Sequence, residues 1–339
     1  MNARVYALLP ALFVWSAAFA AQPAALPAAA PLPQPTIEEW PVPWENSRPR
    51  DPYVGPDGEI WFVGQRGHYV AALDPDSGEF RRFDLDPGTG PHNLIVGDDG
   101  TIYYAGNLAA HIGRVDPQTG AIERIPMPDP AARDPHTLVF DGAGHVFFTV
   151  QGGNRVGRLD LATDTVTLTE VATAGARPYG IVVAPSGTVW ACAFGSNRLL
   201  RIDPRTVAVT EVALPREDAR PRRLEATSDG RIWYVDYAGG RLGFLHPESG
   251  LIIEYPAPGG PQSRPYAMTV DKADRLWFVE SGASPNRLVG FDPVSETFTT
   301  PVAIPSGGGT VRHMVYDPAT DSIWFGADTN TIGRAHLSP

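Results

Sequence analysis

Apolar residues along this chain fall in short runs of four to six, broken by Gly, Pro, Asp and Ser turns rather than spaced for helices. A large aromatic flanked by apolar residues recurs at Trp61, Tyr103, Phe147, Trp190, Trp233, Trp277 and Trp324, at intervals of 42, 44, 43, 43, 44 and 47 residues. A tight turn precedes most of them, as in Asp57-Gly58, Asp99-Gly100, Ser186-Gly187 and Asp229-Gly230. A third β-rich run follows, ending in an Asp-Pro turn at Asp116-Pro117 and Asp203-Pro204. Short strands and turns repeating at this period predict an all-β, seven-bladed β-propeller with four strands per blade. Helical repeats of similar length require apolar residues at 3.6-residue spacing and fewer turn formers.

One repeat shows what each part does. In Pro178 to Ala184 a β-branched run predicts an inner strand buried on both faces. Pro185-Ser186-Gly187 turns the chain, and Thr188 to Ala191 returns with the aromatic wedged between blades. Arg198 to Ile202 and Thr206 to Leu214 complete the blade. The seventh repeat stops after its third strand, Thr331 to Ala335. Its missing outer strand stands at the other end of the chain, where residues 36–43 match the outer strands at 121–128 and 251–258. The N-terminal strand is therefore expected to pair into the last blade and remove the open edge. The propeller then spans 36–339, as a monomer.

Upstream, Arg4, the apolar run from Tyr6 to Phe19 and Ala18-Phe19-Ala20 read as a signal peptide over residues 1–20. An Ala/Pro-rich linker follows over 21–35. The expected location is periplasmic or secreted, with no transmembrane segment after cleavage. Cys192 is alone, so no disulfide is expected, and its place in a second strand predicts a buried, inert thiol. A formal net charge of −11 excludes a nucleic-acid surface.

Chemistry is expected where the repeats line the axis. Eleven residues before each aromatic stand Arg50, His92, His136, Tyr179, Arg222, Tyr266 and His313, none aliphatic. Three residues after it stand Gly64, Gly106, Val150, Ala193, Asp236, Glu280 and Ala327. Counted from the hairpin turn, the two sets face one another across strands one and two, at one mouth of the channel. Arg222 then lies opposite Asp236 as a structural ion pair, and Tyr266 opposite Glu280. Arg48, Arg177, Arg220 and Arg264 sit two residues before the first set. With Arg50, Arg222, Arg223 and Arg312 they form a cationic collar suited to a small-molecule or anionic ligand.

The motifs Arg177-Pro178-Tyr179-Gly180-Ile181, Ser263-Arg264-Pro265-Tyr266-Ala267 and Leu276-Trp277-Phe278-Val279-Glu280 resemble the streptogramin B lyases, the virginiamycin B lyase family, over residues 36–339. The resemblance implies a seven-bladed ring that opens a cyclic depsipeptide ester by elimination, assisted by Mg²⁺. It also implies a general-base His paired with a Glu fourteen residues later in the last repeat. Here His313 occupies the place of that His, but Ala327 stands where the Glu belongs. The remaining candidates are His313 as base, Glu280 as orienting carboxylate and Tyr266 as hydrogen donor. Glu280 and Asp236 are the metal ligands expected for Mg²⁺. Arg50, His92, His136, Tyr179, Arg222 and Arg264 complete the ligand-binding set. Two other readings stay open: a non-catalytic propeller that binds a ligand or protein in its mouth, and a gluconolactonase-type lactone hydrolase, whose relatives resemble six-bladed rings.

Overall fold

A computed structural model describes residues 34–337. The expected signal peptide, residues 1–20, and residues 21–33 of the expected linker lie outside them. Among the described residues seven antiparallel sheets are present, with almost no helix; six are read inner to outer in chain order, and the seventh takes its outer strand from the start of the chain. Among the described residues no helix is long and apolar enough to cross a membrane. The inner strands are Pro49–Val54, Pro91–Val96, Pro135–Phe140, Pro178–Val183, Pro221–Ala226, Pro265–Val270 and Val311–Asp317. Blade six builds its outer strand in two pieces, Thr297–Phe298 and Val302–Ala303.

The repeating aromatics make the ring. Each packs with residues of the following blade: Trp61 with Leu94 and Val96, Trp190 with Leu224, Trp277 with Met314, and Trp324 with Ile60 and Phe62 of blade one. All seven are 7% exposed or less, so they serve as inter-blade core. Cys192 is buried in the same core, and burial pushes its thiol up, out of the reactive range.

Closure follows the expected scheme. Thr36–Pro41 pairs antiparallel with Thr331–His336, in register from Thr36↔His336 to Pro41↔Thr331. Glu39 accepts hydrogen bonds from Thr331 Oγ1 (2.7 Å) and from the Ser306 amide (2.7 Å). Asn330 Nδ2 donates to the carbonyls of Val42 and Trp44, both at 3.0 Å.

The register of the inner hairpins differs from the count made on the sequence. Pro221, not Arg222, lies opposite Asp236, and Pro265, not Tyr266, lies opposite Glu280. The register then slips in every blade: in blade four Tyr179 and Gly180 together oppose Cys192. This β-bulge turns two consecutive side chains of each inner strand toward the axis region. Gly180 is required there, since a Cβ would lie 2.9 Å from the Arg222 carbonyl oxygen of blade five.

Blade seven holds a second correction. Six residues separate Tyr316 from Ile323, against five between the equivalent Val183 and Val189. The extra residue sits in the hairpin, so counting back eleven from Trp324 falls short by one. Val311 pairs with Ala327 as Pro178 pairs with Ala193. Arg312 is therefore the blade-seven member of the mouth ring, and His313 belongs with Asp51, Asn93, Thr137, Gly180, Arg223 and Ala267, one position deeper.

Candidate functional site at the channel mouth

The first bulge residues bring most of the expected ligand set together. The His92 and His136 rings lie 3.5 Å apart, His136 and Tyr179 3.9 Å, and Tyr179 and Tyr266 6.1 Å. The Tyr179 and Tyr266 hydroxyls are hydrogen-bonded. The Arg222 guanidinium stands 3.7 Å from the Tyr266 ring centroid, 4.4 Å from Phe194, 4.5 Å from Tyr237 and 5.0 Å from Tyr179. Its Nη2 reaches Tyr179 Oη at 3.5 Å, while its Nε is buried without a partner. A cation ringed by four aromatic groups gains from their negative faces and keeps its charge. Phe194 and Tyr237 were not among the sequence candidates. They stand four residues after Trp190 and Trp233, one step beyond the position read for the mouth.

Beneath this cluster the second bulge residues close the channel. Asp51 accepts from Arg50 Nε (3.0 Å), Asn93 Nδ2 (3.1 Å) and Arg223 Nη2 (3.0 Å). Arg223 also donates to Thr137 Oγ1 (3.2 Å) and to the Arg312 carbonyl (3.1 Å). One guanidinium thus ties blade five to blades one, three and seven. Burial would raise the Asp51 carboxyl, but Arg50 and Arg223 outweigh it and hold Asp51 well below the usual carboxylate range.

The same cations set the acid–base character of the mouth. Burial first, then Arg50, His136 and Arg223, push His92 well below its ordinary value. Burial, Arg223 and Arg50 do the same to His136. Both imidazoles are neutral. Tyr179 moves the other way. Burial would raise it, yet Arg222, Arg50, Arg223 and the Tyr266 hydrogen bond bring it down to about 8. Tyr266, sharing that bond, is pushed up by burial and by Tyr179. The pair therefore holds one acidic phenol and one donor.

The expected trio of His313, Glu280 and Tyr266 is not assembled. Tyr266 faces Tyr179 and Arg222. Glu280 is fully buried, accepting from the Gly259 amide (2.5 Å) and from Arg287 Nη2 (2.5 Å). His313 stands in the deeper layer beside Arg223 and Asp51, and burial and Arg223 lower it to about 3, leaving a feeble base. Asp236 is also fully buried. It accepts from the amides of Arg220 (2.8 Å), Ala238 (3.2 Å) and Gly239 (3.1 Å) and is ion-paired with Arg216. Arg222 is thus not its partner, contrary to the expected ion pair.

The resemblance implies Mg²⁺ at such carboxylates. Both have spent their oxygens on arginines and amides, and among the described residues no group of three His, Cys, Asp or Glu is gathered to hold a metal. These residues do not fit the ion. Of the collar, Arg48 pairs with Asp328 at 3.6 Å and Arg220 caps the carbonyls of Glu217 and Ala219. Arg264 is exposed, with no side-chain hydrogen bond among the described residues.

Residues 32–202 match the model of the virginiamycin B lyase family, which spans half of the chain. The chain belongs to the virginiamycin B lyase family. A solved streptogramin B lyase is 26% identical, with a TM-score of 0.81 over 90% of this chain and 98% of that one. The virginiamycin B lyase of Staphylococcus aureus is 23% identical, with a TM-score of 0.82 over 90% of this chain and all of that one. A catalytically inactive histidine-to-alanine variant of that lyase, solved with quinupristin, superposes equally well. These last two likenesses speak to the fold. Among curated protein sequences there is no significant match.

Proposed function

We propose that this chain is an exported carbon–oxygen lyase that opens a cyclic ester or lactone at the channel mouth, with Tyr179 as the base. The observation that carries the reading is a phenol brought down to about 8 within 3.5 Å of a partly buried guanidinium, Arg222. Of the mouth groups described, the histidines are held neutral and Tyr179 alone is tuned to exchange a proton near neutral pH. Elimination needs a base for the proton on the carbon next to a carbonyl and a cation for the departing group. Tyr179 Oη takes that proton, and the C–H pair becomes the new double bond. The ester C–O bond breaks, and its electron pair leaves on a carboxylate. Arg222 and the exposed Arg264 suit that carboxylate. Tyr266 donates to the phenolate before reaction and releases it as the proton arrives.

Export rests on residues 1–20, and mass spectrometry of the secreted chain checks for a start near Ala21. Streptogramin B itself is expected to be a poor substrate, because Ala327 replaces the family carboxylate and Glu280 and Asp236 are already paired. The test is a panel of cyclic depsipeptides and lactones, followed by the absorbance of the new conjugated alkene. Tyr179→Phe is expected to lower kcat by on the order of 10² or more, the scale of general-base catalysis. Glu280→Gln and EDTA are expected to leave the rate within about twofold, since no step here passes through that carboxylate or a metal. Full turnover in Tyr179→Phe would overturn the reading. Tight binding of an anionic ester without turnover, lost in Arg222→Ala, would instead establish a binding module.

A further inference from the structure

Below the Arg223 layer the channel reopens into a cavity of about 460 Å³, at the opposite end from the mouth. Its wall is the fifth residue of each inner strand. Four blades place a branched aliphatic there, Ile95, Val139, Val182 and Val315, and blade one a tyrosine. Blade six places Thr269, and blade five Glu225. The repeat does not ask for a carboxyl at this position, since six blades form the same strand without one. The Glu225 side chain has no hydrogen bond or ion pair among the described residues, and its electrostatic neighbour is Arg223 of the layer above. Glu225 is half-buried and faces the cavity, so a carboxyl without a protein partner stands in an otherwise apolar wall, open to a ligand.

A second group points the same way. His313 forms part of the floor of this cavity, and its Nδ1 is buried without a partner. It sits two strand residues higher than the Glu225 ring, about 7 Å along the axis. Polar groups therefore meet the cavity at two depths, with an aliphatic wall between them. The size and the few convergent polar groups are those of a small-molecule site.

We propose that this lower chamber is a second ligand site, separate from the mouth, for a small uncharged alcohol with an apolar body, held by Glu225, Thr269 and His313. Both signs of charge are disfavoured. The aliphatic wall strips either ion of water, a cation would also meet Arg223 in the layer above, and an anion finds that guanidinium already engaged by Asp51. Burial raises Glu225 to about 8 against the pull of Arg223, so near neutral pH it carries a proton and offers both a donor and an acceptor. A hydroxyl matches that pair.

The proposal is independent of the activity at the mouth and is tested without it. The probes are 4-fluorobenzyl alcohol, 4-fluorobenzoate and 4-fluorobenzylammonium, titrated at pH 7 into the purified chain and followed by ¹⁹F line width. The alcohol is expected to bind saturably, and more tightly than either ion. Binding should weaken about tenfold in Glu225→Leu, the scale of one hydrogen bond, and vanish in Val182→Trp, which fills the chamber. Tyr179→Phe, altered at the other end, should bind the alcohol as the native chain does. Thermal melts confirm that each variant is folded. Absence of saturable binding, equal binding of all three probes, or binding that survives in folded Val182→Trp would overturn the proposal.

Discussion

At the scale of single residues, the mouth is governed by how cations are shared. Arg222, Arg50 and Arg223 stabilise a phenolate on Tyr179, and Arg50 and Arg223 simultaneously disfavour protonated His92 and His136. Activity limited by Tyr179 should therefore rise with pH through about 8 and level off above it, because the base is the deprotonated form. No second limb from the histidines is expected in that range, since both are neutral throughout. Removing Arg222, first among the groups that lower this phenol, as Arg222→Met should move the midpoint upward, toward an ordinary phenol near 10. A kcat/KM profile between pH 6 and 10 checks both. A midpoint that stays at 8 in Arg222→Met would show that another group is titrating. Much of this cluster was legible in the sequence, because Arg50, His92, His136, Tyr179, Arg222 and Tyr266 occupy one place in the repeat and none is aliphatic. What the sequence did not disclose was which carboxylates were already engaged. Glu280 and Asp236 share the repeat with the mouth residues, but Arg287 and Arg216 reach them from other segments.

At the scale of the strand, one residue of register separates what was read from what folds. Strand alternation places Tyr266 opposite Glu280 only if the hairpin is regular, and a bulge in every inner strand breaks that rule. Bulges carry no compositional mark here, so the period of the repeat was readable and the facing of its side chains was not. The longer hairpin of blade seven compounds the error and puts His313 into the layer that seals the channel. That layer makes its own prediction. Arg223→Met leaves Asp51 buried, with Arg50 as its one remaining cation and Asn93 as a neutral donor. Breaking a buried pair from one side costs about 3–5 kcal/mol. Asp51→Asn should cost less in the Arg223→Met background than in the native chain, because there it strands Arg50 alone rather than both guanidiniums, so the two losses should be less than additive. Denaturant unfolding of the two single variants and the double variant measures the coupling. Additive losses would mean that Arg223 and Asp51 do not act as a pair.

At the scale of the whole molecule, stability depends on the ring having no free end. Each blade presses its aromatic into the next, and blade seven presses Trp324 into blade one. That last contact is held by a strand from the other terminus. Trp40 stacks on Trp324 at 5.4 Å with Arg334 over both rings, and Glu38 takes His336 Nε2 at 2.8 Å and pairs with Arg334. A chain beginning at Thr36 keeps all of these contacts and should melt as the longer chain does. A chain beginning at Glu45 loses the whole of Thr36–Pro41, the hydrogen bonds of Asn330 to Val42 and Trp44, and the cover over Thr331–His336. An uncovered strand with free amides and carbonyls invites pairing between molecules, so this form should also aggregate. Its midpoint should fall by at least about 5 °C, given that a few kcal/mol shift a large domain by several degrees. Calorimetry with light scattering on the two truncations decides the matter. Equal midpoints without association would mean that the inter-blade aromatics alone hold the ring closed.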